Sequence, residues 1–159
     1  MGVSIRFATA RDAEVIVDFI RALAAYEREP DAVEVTADVL RAQIESADPP
    51  FECLIAELDG AAAGFALFFR NYSTWRGRPG LFLEDLFVLE RHRRNGIGGA
   101  LLKRLAALSV ERGYGRMEWS VLDWNEPSIN FYKAMGAVDM SEWTVQRLAG
   151  DALARLARS

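Results

Sequence analysis

The chain has 159 residues, 51% hydrophobic and 26% charged, a size and balance expected of one globular domain, residues 1–159, with a sizeable buried core. Its net charge of −4 argues against a general nucleic-acid partner, which would call for a basic face. No apolar run approaches the ~20 residues that span a bilayer, and the amino terminus carries no signal-peptide pattern, so the expectation is a cytoplasmic protein with no membrane partner. Cys53, the single cysteine, allows no intrachain disulfide and reads as a buried thiol.

In chain order, residues 5–7 read as a first strand, and Thr9 or Asp12 is placed to cap a helix in which Val15, Phe19, Leu23 and Tyr26 recur at helical spacing. Thr36 opens a second helical stretch carrying Val39, Leu40 and Ile44, which ends before Pro49 and Pro50. Two strands, 51–58 and 62–70, are joined by Asp59-Gly60, a strong hairpin signal. Residues 71–80, with Tyr72 and Trp75 among turn formers, read as a loop. Residues 81–89 are apolar on both alternating faces except at Glu84 and Asp85, which predicts a central strand covered on both sides. Burying an ionised carboxylate without partners costs several kcal/mol, so either the strand opens there into a cleft or both acids are hydrogen-bonded. In a regular strand the two would face opposite sides and would not share a role.

Behind that strand comes Arg93-Arg94-Asn95-Gly96-Ile97-Gly98-Gly99, a basic, glycine-rich turn at the entrance of an amphipathic helix built on Ile97, Leu101, Leu102, Leu105, Ala106 and Leu108. Glycines let backbone N–H groups approach an anion, and the helix dipole adds positive potential at that end. Further along, 117–122 reads as a strand, and residues 123–128 mark a turn and helix start with Pro127 near the first helical position. Gly136 closes that helix, 143–148 reads as a last strand, and Asp151 as the cap of a terminal helix. The elements make one mixed sheet flanked by helices, an α/β domain without internal repeats.

Three kinds of phosphate loop compete for the glycine turn. A P-loop needs Gly-Lys followed by Ser or Thr, and no lysine stands here; a dinucleotide fingerprint starting at Gly96 needs Gly or Ala where Leu101 lies. The third fits: Arg93-Arg94-Asn95-Gly96-Ile97-Gly98 resembles the Arg-x-x-Gly-x-Gly loop of the GNAT acetyltransferase superfamily. The resemblance extends to Leu83-Glu84-Asp85-Leu86-Phe87-Val88 before it and to Trp124-Asn125-Glu126-Pro127-Ser128-Ile129-Asn130-Phe131-Tyr132-Lys133 after it, with Gly136-Ala137. With Ile5-Arg6-Phe7-Ala8-Thr9-Ala10 and Tyr26-Glu27 also similar, the chain resembles the diamine (spermidine/spermine) N-acetyltransferase branch over nearly its whole length. The match is weakest beyond Asp139, across a length difference.

That resemblance implies the GNAT acyl-CoA N-acyltransferase fold, an α/β (α+β) sheet of about six to seven strands, acetyl-CoA as acyl donor, a small aliphatic amine as acceptor and a homodimer. The amides of Arg94, Asn95, Gly96, Ile97, Gly98 and Gly99 would hold the pyrophosphate, and Arg93 and Arg94 would add counter-charge. In the family the pantetheine arm pairs with the strand before the loop, here Leu86, Phe87 and Val88, while Asn125 and Ser128 contact the cofactor. An aliphatic amine with a reference pKa near ~10.4 must lose a proton before it attacks, and Glu84 is placed to take it. Tyr132 matches the family tyrosine that protonates the departing thiolate and touches the cofactor. Tyr26, Glu27, Trp75, Glu84 and Glu142 match positions that contact amine substrates in similar enzymes. His92, among arginines, reads as solvent-facing. A non-catalytic acyl-CoA-binding sensor and a protein-lysine acetyltransferase are the two alternative functions.

Overall fold

A computed structural model describes residues 2–159, which form two compact units, residues 2–122 and 123–159. In the first unit, strands β1 (Val3–Phe7), β2 (Glu52–Leu58), β3 (Ala61–Ser73), β4 (Arg78–Val88) and β5 (Met117–Glu118) lie in the order β1-β2-β3-β4-β5. All neighbours are antiparallel except β4 and β5, which run parallel.

Helix α1 (Ala13–Tyr26) buries Ala13, Ile16, Val17 and Phe19 on one side, and α2 (Ala37–Glu45) adds Leu40. These pack against Cys53, Ile55, Phe65, Leu67 and Phe87, strand residues that share one face of the sheet. The alternate residues Leu54, Ala66, Phe68 and Leu83 are buried as well, and α3 (Ile97–Glu111) contributes Ile97, Leu101, Leu102, Leu105 and Leu108 to the core. The strands are therefore apolar on both faces, as expected of a covered sheet.

Local chemistry sets several boundaries. The Thr36 hydroxyl accepts the Val39 N–H at 3.3 Å and starts α2. Asp59 and Gly60 both have positive φ, 52° and 85°, the geometry of a tight two-residue hairpin turn. Asp12, 8% exposed, accepts from Arg6 Nη1 and Nη2 at 2.8 and 2.9 Å and from the Thr9 N–H at 2.7 Å, which ties β1 to the start of α1. The Arg6 hydrogen bonds hold the Asp12 carboxyl below its usual range despite burial.

The structure corrects four expectations. Of residues 71–80 only 74–77 form a loop: Asn71 pairs with Gly80 and Ser73 with Arg78, so β3 and β4 run on as a long hairpin. Gly80 makes this closeness feasible, since a Cβ there would sit 2.7 Å from Asn71 Oδ1 and 3.0 Å from the Arg116 carbonyl oxygen. The strand expected over 117–122 shrinks to Met117–Glu118, paired only with Leu81 and Phe82. In the second unit, 143–148 makes no strand: a strand needs a ladder partner, and among the described residues no strand lies in that unit to pair with it. Helix α5 (Gly150–Arg158) starts with Ala149 as its cap, so Asp151 lies in the first turn, where its charge still suits the helix dipole. The sheet consequently has five strands rather than six or seven.

Candidate active site

At the entrance of α3 the backbone takes two left-handed steps, Arg94 with φ 71° and Gly96 with φ 74°. The second is free for glycine; the first costs an arginine on the order of 1 kcal/mol, strain of a kind that gathers at functional loops. Asn95 Nδ2 donates to the His92 carbonyl at 3.0 Å and closes the turn. The first intrahelical acceptor is the Gly96 carbonyl, reached by the Ala100 N–H at 2.9 Å. The N–H groups of Ile97, Gly98 and Gly99, the first three residues of α3, thus have no carbonyl within the helix. Converging donors at a helix N-terminus with arginines alongside fit a pyrophosphate.

The strand leading to this loop offers a second feature. On the side of β4 away from β3, pairing with β5 ends at Phe82, leaving residues 83–88 with no described strand along that edge. An extended amide-bearing arm can add there as a strand would, and Leu86, Phe87 and Val88 lie on that stretch.

Within it the ladder slips. Leu67 pairs with Asp85 but Phe68 pairs with Leu83, so Glu84 is the extra residue of a β-bulge. Consecutive β3 residues face opposite sides, hence Leu83 and Asp85 do as well, although a regular strand would put them on one side. The expected separation of Glu84 and Asp85 across the sheet rested on a regular strand, and the strand is not regular. Asp85 shares the face of Leu67 and Phe87, toward α1. Burial, followed by the charges of Glu84 and Glu27, pushes its carboxyl up to about 6. Glu27, the residue that caps the end of α1, is raised in turn by burial and by Glu84. Three carboxylates from two elements therefore share one electrostatic neighbourhood, a place suited to a cation.

Arg93 joins these parts. Its Nε donates to the Val88 carbonyl at 3.0 Å, and its guanidinium carbon lies 5.2 Å from the Tyr26 ring centroid and 5.6 Å from that of Phe87. Trp75 instead sits at the tip of the β3–β4 hairpin, 86% exposed. His92 is half-buried, accepting at Nε2 from Arg91 Nε at 3.1 Å.

In the second unit, Asn125 caps α4 (Glu126–Ala134): its Oδ1 accepts the Ser128 N–H at 3.4 Å, and Pro127 stands in the first turn. Tyr132 lies two turns on, its ring centroid 5.5 Å from that of Phe131. Glu142 lies in an exposed turn. Among residues given no role from sequence, Asp85 is the one the structure adds to the carboxylate group; only the bulge, which alternation does not reveal, places it there.

A glycine loop on a helix start, an open strand edge and an acid-bearing bulge are the parts of an acyl-CoA-dependent transferase. The family model "Acetyltransferase (GNAT) family" matches residues 13–137, and the chain belongs to this acetyltransferase family, whose members use acetyl-CoA as acyl donor. It is accordingly an N-acetyltransferase. It is similar to the thialysine N-epsilon-acetyltransferase of Bos taurus, 36% identical over 166 residues that cover 98% of this chain and 97% of the relative. The L-ornithine N5-acetyltransferase NATA1 of Arabidopsis thaliana is 48% identical over 95 residues, 60% of this chain and 42% of that one. An integron cassette protein from the mobile metagenome of V. cholerae shares the fold with a TM-score of 0.82 at 24% identity, covering 100% of this chain and 99% of its own. Among the described residues, no helix is long and apolar enough to cross a membrane.

Proposed function

We propose that this enzyme transfers the acetyl group of acetyl-CoA directly to a primary amine of a small aliphatic diamino compound, of the thialysine, ornithine or polyamine kind. The observation that carries the reading is the carboxylate group Glu27, Glu84 and Asp85, set at the end of α1 and at the bulge of the strand that leads into the anion loop. Such a compound brings two ammonium groups, and the two need opposite treatment. One must lose its proton and attack; the other keeps its charge and is held. Glu84, on the bulge, removes the first proton directly or through water. Asp85 and Glu27 hold the second ammonium, whose charge in turn favours their ionised forms. The names of the thialysine and ornithine enzymes support this choice of acceptor.

For the acyl donor, the N–H groups of Ile97, Gly98 and Gly99 bind the pyrophosphate, with Arg94 beside them, and the open edge at Leu86, Phe87 and Val88 aligns the pantetheine arm. Acetyl-CoA, when bound, supplies an activated thioester carbonyl. We assign Tyr132 the proton that the departing sulfur takes up, because the tyrosine and Asn125 stand at the family spacing, and Asn125 and Ser128 a contact to the cofactor. Trp75 and Glu142 are carried as outer contacts of the amine, and a cytoplasmic homodimer as the working form, on the resemblance alone.

The test measures CoA-thiol release from acetyl-CoA with thialysine, ornithine, putrescine and spermidine, for wild type and Glu84→Gln. Release with at least one amine is expected, with a loss of about 100-fold in the variant at unchanged acetyl-CoA affinity. A variant as fast as wild type removes Glu84 as the base.

A further inference from the structure

Arg93 stands in the loop motif, where an arginine beside a pyrophosphate site would ordinarily be counted as counter-charge. Its side chain does something else. The guanidinium lies over Tyr26, the last residue of α1, and over Phe87 of β4, while Nε holds the carbonyl of Val88, the last residue of β4. Phe87 itself packs on Phe19 of α1 with ring centroids 6.2 Å apart. A planar guanidinium can stack on rings through its faces and donate through its edge at the same time, which an ammonium cannot. One side chain thereby joins the anion loop, the end of the strand edge and the helix terminus that carries Glu27.

We propose that Arg93 is a positioning residue that couples the two substrate sites, so that filling the acyl-donor loop sets Tyr26 and Glu27 for the amine. The inference rests on the acyl-transfer reading above and extends it from the two sites to the link between them. Arg93 is followed directly by Arg94, at a φ of 71° that an arginine adopts only where its surroundings hold it there. A shift of the loop as its amides close on an anion therefore moves Arg93, and with it the ring of Tyr26 next to Glu27. Because the coupling is a free energy, it works in both directions: CoA tightens the amine, and the amine tightens CoA by the same factor.

Calorimetry on the full chain tests this by measuring amine affinity with and without saturating CoA, and CoA affinity alone. The proteins are wild type, Arg93→Ala, Arg93→Lys, Tyr26→Ala and the double variant Arg93→Ala/Tyr26→Ala, with thermal melts confirming that each is folded. Arg93 is exposed, so its replacement leaves the core intact. Wild type should bind the amine at least about fivefold tighter with CoA present, the lower range of measured couplings. Arg93→Ala should bring that factor to within about twofold while CoA affinity falls less than about threefold. Tyr26→Ala should do the same, and the double variant should add nothing, as expected of two partners in one contact. Arg93→Lys keeps the charge and should fail to restore the coupling.

If instead Arg93→Ala loses CoA affinity about tenfold or more and lysine restores it, Arg93 is a phosphate ligand and the proposal is wrong. Unchanged coupling in Arg93→Ala, or none in wild type, overturns it as well. Thiol release is read on the same wild-type sample: no turnover with any amine removes the acyl-transfer reading and this inference with it, whereas turnover with independent effects at Arg93 and Tyr26 removes this inference alone.

Discussion

Asp85 should make the folded protein measurably less stable at neutral pH than at pH 4. Its carboxyl, on the α1 face of the sheet beside Glu84 and Glu27, is pushed by burial and by those two charges from 3.8 to about 6. An acid whose pKa is raised by folding binds its proton more tightly in the folded chain than in the unfolded one. Its contribution to stability is therefore most favourable below the unfolded value and declines as pH rises from about 4 to about 6. Roughly two pH units at ~1.36 kcal/mol per unit give a loss of about 3 kcal/mol, a large part of the total for a domain of this size. Asp85→Asn removes the titration. Urea unfolding of both proteins at pH 4, 5, 6 and 7.5 isolates the effect, because every other titrating group is common to the two. The stability difference in favour of the variant should grow by about 3 kcal/mol across the range and level off above pH 7. A difference that stays flat from pH 4 to 7.5 would refute the placement of Asp85 in a desolvated, like-charged group.

A Cβ on Gly64 would lie 2.6 Å from the Phe87 carbonyl oxygen and 3.2 Å from the Val88 Cα, so Gly64→Ala should cost about 2 kcal/mol by chemical denaturation; a neutral result contradicts the close approach of β3 and β4. Tyr132→Phe should lower kcat by about 100-fold and leave acetyl-CoA affinity nearly unchanged, measured by steady-state kinetics and calorimetry; an unchanged kcat removes it as the acid. Asp12 is held ionised by Arg6, so its stabilisation is present above pH 3.8 and fades as pH falls through the lower, folded value. Asp12→Asn should thus cost about 2 kcal/mol at pH 7 and less at pH 3, read from urea melts at the two pH values.

Much of the frame is legible in the sequence because local rules govern it. The Asp59-Gly60 turn, the Thr36 cap and the glycine entrance of α3 are each set by one or two residues with a strong backbone preference. Phe19 and Leu101 declare their burial through helical spacing. The series Val15, Phe19, Leu23 and Tyr26 otherwise runs along the edge of the buried face of α1, whose centre is Ile16, Val17 and Phe19, and Tyr26 at its end is 38% exposed. What escaped depends on pairing between distant residues. The bulge at Glu84 exists only relative to Leu67 and Phe68, so a strand read alone puts Asp85 on the wrong face relative to Leu83. Turn formers at residues 71–80 hid a hairpin because Gly80 serves close packing there rather than a turn. Residues 143–148 read as a strand on their own, but a strand exists only with a ladder partner, which the segment itself does not name. Arg93 carries a motif position in the sequence, but its contacts with Tyr26, Phe87 and Val88 are three-dimensional facts.

The central claim, acetyl transfer to a small diamino compound, is tested most directly by mass spectrometry of the low-molecular-weight filtrate after incubation with acetyl-CoA and each amine. A singly N-acetylated amine that accumulates with enzyme and in step with thiol release is the predicted result. Acetyl groups found only on protein lysines, or CoA bound with no transfer to any amine, would contradict it.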